Sequence, residues 1–228
     1  KEKTPIKDEL LFPVLAIVDP ELMVSVPPHF TALQGFDALF HNIEGYISKK
    51  ASLMSDMVAL TAIEHISHNL PEAIRNGANI DAREKVAFGN YLGGIEMCVC
   101  STSSQHSLEH ALSAYHQELP HGAGLIMLST SYFSWFIDHH ACDDRFIRLA
   151  QVMGMQEATH PSDFLTALKK LEHDCDVANL KMSDYGISPD EFPAMAENAK
   201  TSMGFLFQSD RLELTIDNCI EIYQKAYM

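Results

Sequence analysis

From Pro27 onward, apolar residues recur every three or four positions, the period that gathers them on one face of an α-helix. The clearest stripe, Leu33, Phe36, Phe40, Ile43 and Ile47, lies in TALQGFDALFHNIEGY and predicts a helix from Pro27-Pro28 through Gly35 to Tyr46. Met54, Met57, Val58, Leu60, Ile63 and Ile66 predict a second over Ser52 to Asn76, with Pro71 expected to kink or restart it. A third spans Asn79 to Ser101 and carries Gly89, Gly93 and Gly94. Glycine costs roughly 1 kcal/mol against alanine inside a helix, so this run points to close helix packing. Ala123 to Ile137, AGLIMLSTSYFSWFI, is uncharged and too short for a membrane span, which suits a core helix. Cys142 to Met153, Ser162 to Cys175 and Pro189 to Met203 are amphipathic, and Thr215 is placed to cap a last helix, Ile216 to Tyr227.

The chain before Pro27 reads differently. LLFPVLAIV, Leu10 to Val18, is a short apolar run with β-branched residues ended by Asp19-Pro20, and it predicts a strand over Val14 to Val18. No second strand is evident downstream, so its sheet is expected to lie elsewhere. The expected fold class is therefore all-α, a bundle of about nine helices preceded by one orphan β-strand. The expected division is residues 1–26 as a remnant or linker and 27–228 as a helical domain.

Composition narrows the function classes. The 228 residues hold 16 basic and 31 acidic side chains, a net charge of −15, which disfavours nucleic acid and anionic membrane surfaces as partners. Cys98, Cys100, Cys142, Cys175 and Cys219 are odd in number and lack CxxC spacing. With no long apolar run and no signal peptide, a reducing, cytoplasmic location is expected.

The candidate chemistry lies in SSQHSLEHALSAYHQELPHG, Ser103 to Gly122, which holds four of the 12 histidines. His106 and His110 are four apart and share a helix face. His121 cannot stay on that helix, since fifteen further residues would span roughly 22 Å at ~1.5 Å each. Pro120 is expected to stop the helix and can begin another, and Gly122 lets the backbone come close, so that His121 can face His106 or His110. On the earlier helix, Asp37 and His41 are also four apart and offer a carboxylate and an imidazole together. Asp37 and His41 with His106 and His121 would make one carboxylate and three imidazoles, a set suited to Fe(II), Zn(II), Mn(II) or Co(II). His65 and His68 read as surface or capping residues, and the Asp138-His139-His140 cluster and Cys98 with Cys100 have poorer ligand geometry, since their side chains diverge on a helix.

At these segments the chain resembles the iron-containing, or group III, alcohol dehydrogenases of the dehydroquinate synthase-like superfamily. AIVDPEL, TALQGFDALFHNIEGY, NGANIDAREKVAFGN, HSLEHALSAYHQELPHG and LELTIDNCIEIYQKAY carry the resemblance, in order and over essentially the whole chain. It implies a two-domain enzyme in which an N-terminal α/β domain binds NAD or NADP and a helical C-terminal domain holds the metal. The chain looks like the helical domain, with Val14 to Val18 as the tail of the other domain's sheet. Lys1 in place of a methionine fits a clipped chain, one expected to be inactive alone.

The resemblance further implies Asp37, His41, His106 and His121 as ligands of Fe(II), or of Zn(II) or another divalent ion, and His110 as a catalytic residue beside the nicotinamide that relays the alcohol proton. The expected reaction interconverts an alcohol and an aldehyde or ketone; cofactor-binding residues in this chain are unknown. The partners are that small molecule, the N-terminal cofactor domain and further copies of the chain in a homo-oligomer. Two alternatives fit the same residues: a non-catalytic helical metal-binding or interaction module, and a metal-dependent hydrolase.

Overall fold

In a computed structural model the protein is described at every residue except Lys7 and Met228. The described residues form nine α-helices: α1 (Pro28–Ile47), α2 (Leu53–Arg75), α3 (Ile80–Val99), α4 (Ser104–Tyr115), α5 (His121–Asp138), α6 (Asp143–Val152), α7 (Asp163–Asp174), α8 (Phe192–Ser202) and α9 (Ile216–Ala226). Short 3-10 turns join several of them. None of these helices is long and apolar enough to cross a membrane.

The expected all-helical bundle is what forms. The strand expected over Val14 to Val18 is absent among the described residues, which contain no strand at all. Val14, Leu15 and Ile17 are exposed, and the segment has no ladder to join. A strand holds its geometry only when a neighbour takes its backbone hydrogen bonds.

Helix α1 is the centre of the bundle. Pro28 occupies its first turn, where a missing N–H costs nothing. The predicted stripe of Leu33, Phe36, Phe40, Ile43 and Ile47 is buried, and α1 packs on α2, α3 and α5. Arg83 of α3 fixes how the chain enters α1: its guanidinium donates to Thr31 Oγ1 at 2.7 Å, the Val26 carbonyl at 3.0 Å and the Gly77 carbonyl at 3.0 Å. Arg145 of α6 donates to both oxygens of Asp56 on α2 and to the Tyr46 carbonyl, tying the α6–α7 pair to α1 and α2.

Helices α2 and α3 approach closely at Gly89, where a Cβ would stand 2.5 Å from Ile66 Cγ1. That is the close packing the glycine run implied, although Gly94 faces open space. Helix α2 runs through Pro71 without a restart; the carbonyl of Ser67 loses its helical donor there, and the fully buried Leu70 and Ala73 hold the turn in place. The uncharged α5 is a core helix as expected, packed against α1, α4, α7 and α9, with Tyr132 and Phe133 wholly buried. Helix α4 ends at Tyr115, well before Pro120, and Pro120 instead caps α5. Thr215 caps α9 by accepting from Asn218 N–H.

A carboxyl group is buried in the packing around α5. Glu172 of α7 sits with Oε1 2.8 Å from Ser129 Oγ, and burial pushes its carboxyl up to about 7 against weaker opposing effects of Ser129 and Lys169. Because the folded chain holds this proton more tightly than the unfolded one, the contribution is fully present below the unfolded value near 4.5 and is lost as pH rises through about 7. Glu172→Gln is therefore expected to flatten the loss of stability between these values and to raise stability at pH 8 by about 1–3 kcal/mol, read from urea unfolding at both ends of the range. Equal pH slopes in the two proteins would contradict the assignment.

Candidate metal centre

The face of α1 that carries Asp37 and His41 also carries Glu44, three residues beyond His41. Helix α4 presents His106 toward this face, and the α4–α5 turn brings back His121 as the first residue of α5. What sets that return is the residue after it. A Cβ on Gly122 would stand 2.2 Å from the carbonyl oxygen of Leu33, so α5 starts against the backbone of α1, one turn before Asp37.

The four residues predicted as one set meet around a single oxygen. Asp37 Oδ1 lies 3.4 Å from His41 Nε2, 3.3 Å from His106 Nε2 and 3.5 Å from His121 Nε2. A four-coordinate ion with bonds of about 2.0–2.2 Å keeps neighbouring ligand atoms roughly 3.3–3.6 Å apart. Each of the three separations from Asp37 matches that of two neighbouring ligands of such an ion; Asp37, His41 and His106 form the tight group, with His121 between it and Glu109 and His110. A donor set of three imidazoles and one carboxylate suits a borderline divalent cation such as Fe(II) or Zn(II). The rings of His41 and His106 stack with centroids 4.7 Å apart, and His121 meets His106 edge-on at 5.3 Å.

His110 is also present, with its ring 5.3 Å from that of His121, but it lies off the Asp37 oxygen. Its Nδ1 is 3.0 Å from the Lys3 carbonyl oxygen. Glu109, His110 and His121 bring ligand atoms close enough to form a second cluster, as do Asp37, His41 and His106. The second cluster is the poorer site for a cation because the oxygens of Glu109 are already taken by His121 Nδ1, Ser113 Oγ and Lys3 Nζ.

Several polar residues here escaped sequence reasoning. Glu44 is fully buried and pairs with His106 Nδ1, and Glu109 is fully buried and pairs with His121 Nδ1. Their spacing was visible: Glu44 is seven residues after Asp37, and Glu109 three after His106. Nothing in the spacing showed which imidazole each would meet on another helix. Ser103, Tyr132 and Asp210, which extend the network behind Glu44, left no signal at all.

The charges of the cluster are interdependent. Burial opposes ionisation of Asp37, but the His106 hydrogen bond and the nearby imidazoles prevail and hold it well below the usual carboxylate range. Burial opposes a charge on His106 as well, yet Glu44 and Asp37 raise it to about 10. His41 goes the other way, lowered to about 4 by burial and then by the His106 charge. In the metal-free cluster at neutral pH, His106 thus holds a proton between two carboxylates while His41 stays neutral. Burial also lowers His110.

Comparison with known proteins follows the same lines. The family model described as Fe-containing alcohol dehydrogenase family, C-terminal, matches residues 31–227. The NAD-dependent methanol dehydrogenase of Bacillus methanolicus is 29% identical over 233 aligned residues, 99% of this chain and 59% of that protein. The 1,3-propanediol dehydrogenase of Klebsiella pneumoniae is 31% identical over 192 residues, 82% of this chain and 49% of that protein. Among solved structures, an archaeal halo-thermophilic alcohol dehydrogenase from a Red Sea brine pool superposes with a TM-score of 0.89 at 26% identity, over 94% of this chain and 55% of that one. A 1,3-propanediol oxidoreductase gives a TM-score of 0.85 at 28% identity, over 92% of this chain and 55% of that one. The chain thus spans about half the length of the relatives it matches.

The contact at Gly122 is open to a direct test. Gly122→Ala forces a methyl group into the Leu33 carbonyl and is expected to destabilise the chain by about 1–3 kcal/mol, read as a lowered melting temperature by circular dichroism. An unchanged melting temperature would show that α5 does not start against α1 in this way.

Proposed function

The chain belongs to the Fe-containing alcohol dehydrogenase family, whose C-terminal model it matches, and we propose that it is the metal-binding, substrate-side part of a dehydrogenase interconverting an alcohol and an aldehyde or ketone. The observation that carries this reading is the convergence of three imidazole Nε2 atoms on Asp37 Oδ1. Asp37, His41, His106 and His121 are the proposed ligands and Fe(II) the proposed ion. The names of the relatives support NAD as the hydride carrier and run from methanol through 1,3-propanediol to long-chain alcohols, so the family supports a reaction class and not one alcohol. The hydrolase and the non-catalytic module gain no support from these relatives.

When bound, Fe(II) supplies Lewis acidity toward an alcohol or carbonyl oxygen, and the nicotinamide exchanges hydride with the adjacent carbon. This chain's own residues do the rest. Asp37 and the three histidines fix where the substrate oxygen is held. A cavity of about 270 Å³ reaches Asp37 from the α3 side and is lined in part by Gln34, Ala38, Val86 and Asn90.

His110 is the proposed proton carrier. Its Nδ1–H donates to the Lys3 carbonyl oxygen, which leaves Nε2 with a free lone pair. Burial keeps the ring neutral, the form that accepts a proton from an alcohol. His110 Nε2 would take the alcohol's O–H proton in oxidation and return it in reduction, with the hydride passing to or from the bound nicotinamide.

The division of the molecule follows as part of the proposal. Residues 27–228 form the metal-binding unit, and residues 1–26 lead toward a nicotinamide-binding region of the kind that the longer relatives have room for beyond the matched stretch. Self-association of the chain, through the apolar surface around Val14 to Val18, belongs to the same reading. All five thiols are free, which supports a reducing, cytoplasmic setting.

His41→Ala and His121→Ala are each expected to abolish metal loading, measured by metal analysis after reconstitution with Fe(II) or Zn(II); full occupancy in either variant would sink the ligand assignment. His110→Ala is expected to keep the metal and to slow alcohol oxidation by roughly 10²–10⁴-fold in the enzyme supplied with its nicotinamide-binding region. An unchanged rate would remove His110 from the chemistry.

A further inference from the structure

Burying a carboxylate is costly unless its oxygens are fully used, and the metal centre is flanked by two that are. Glu44 on α1 and Glu109 on α4 both have wholly inaccessible side chains. Glu44 Oε1 pairs with His106 Nδ1, while its Oε2 accepts from the Ser103 N–H at 2.6 Å and from Ser103 Oγ at 2.7 Å. Ser103 Oγ is in turn 3.0 Å from Tyr132 Oη, which donates to Asp210 Oδ1 at 3.2 Å. Glu109 Oε2 pairs with His121 Nδ1 and accepts from Lys3 Nζ at 3.0 Å, and Oε1 accepts from Ser113 Oγ. Both carboxylates are clamped at each oxygen, so neither can rotate away from its imidazole.

The pairing follows a rule across the helices. Helix α1 contributes Asp37 and His41 to the cluster and, one turn later, the carboxylate that faces α4's His106. Helix α4 contributes His106 and, one turn later, the carboxylate that faces α5's His121. Each helix that supplies a donor atom also fixes the ring supplied by the next helix. Glu44 accepts at Nδ1 of His106 and Glu109 at Nδ1 of His121, which Lys3 Nζ also approaches at 3.1 Å, and Nε2 of each ring faces Asp37 Oδ1. Once a cation replaces the proton that His106 Nε2 shares with Asp37, a hydrogen held on Nδ1 by each carboxylate leaves Nε2 bare toward the ion.

We propose that Glu44 and Glu109 are positioning residues of the metal centre, setting the tautomer and direction of His106 and His121 so that Nε2 of each faces the ion. The proposal rests on the metal-binding reading above. A carboxylate present only to stabilise the fold would serve equally well with either ring nitrogen bare. A positioning carboxylate makes ion affinity and ring tautomer depend on it while the fold persists.

Zn(II) is the probe, being redox-silent and suited to the same donors. Glu44→Gln and Glu109→Gln are titrated with Zn(II) against a competing chelator, with folding checked by circular dichroism. The protonation of each ring in the Zn(II)-loaded chain is read by long-range proton–nitrogen NMR. Each variant is expected to bind Zn(II) roughly 10–100-fold more weakly, and the partnered ring to lose its single Nδ1–H form. Affinity within about twofold of the parent, with the Nδ1–H pattern intact, overturns the proposal.

His106→Ala and His121→Ala run in parallel. If they lose Zn(II) while the glutamine variants keep it, only the positioning role fails. If they bind as the parent does, the metal reading fails and takes the positioning role with it. Should a glutamine variant not fold, Ser103→Ala and Ser113→Ala loosen the two clamps without removing the carboxylates. A loss of affinity of about threefold or more in both supports the proposal, and a smaller change in either overturns it.

Discussion

The backbone of α5 meets that of α1 where a Cβ on residue 122 would stand 2.2 Å from the Leu33 carbonyl oxygen, a separation that admits glycine and no other residue without movement. The geometry of the candidate metal centre descends from this contact. It places the first turn of α5 one helical turn before Asp37, and the side chain of His121 has only to reach across one interhelical gap. The burial of α1 against α2, α3 and α5 keeps the contact from relaxing, because Phe36, Leu39 and Phe40 have no exposed surface and no room to shift.

Around that contact the molecule gathers charge where packing alone would exclude it. Asp37, Glu44 and Glu109 lie within reach of His41, His106 and His121, in an interior where unpaired charges are expensive. The cluster is tolerated because nearly every polar atom faces an opposite or complementary one: Ser103 and Ser113 clamp the carboxylates, and His106 holds a proton between Glu44 and Asp37. The same arrangement is poised to exchange that proton for a cation, since metal ligation requires a bare imidazole nitrogen. Mutual electrostatic dependence makes the site a single unit, in which removal of one member alters the charge state of the others.

Position in the family and position in the fold agree. The matched region of the longer relatives is the helical unit seen here, and the TM-scores of 0.85 and 0.89 show that nine helices with low sequence identity reach the same packing. The segment before Pro27 behaves differently from the rest. Its apolar residues, Leu10, Leu11, Phe12, Val14, Leu15 and Ile17, are exposed, while the comparable residues of the helices form one continuous core.

How much of this was legible in the sequence depends on the range over which each feature is decided. The stripe of α1, the cap at Thr215, the apolar α5 and the pairing of Asp37 with His41 are properties of one helical turn, fixed by a period of 3.6 residues and by hydrogen bonds between near neighbours. They were readable, and with the family resemblance they named the residues that meet at Asp37. Three features were not decided locally. Val14 to Val18 has strand propensity but no strand to pair with; α4 ends at Tyr115 for reasons beyond Pro120; and the carboxylates that face His106 and His121 come from the neighbouring helix. Spacing put His106 and His110 on one face and allowed His121 to approach either of them. Only the packing of α5 on α1 decided that His106 and His121 share the Asp37 oxygen while His110 turns to Lys3, because the direction of a side chain between helices is set by contacts far apart in the chain.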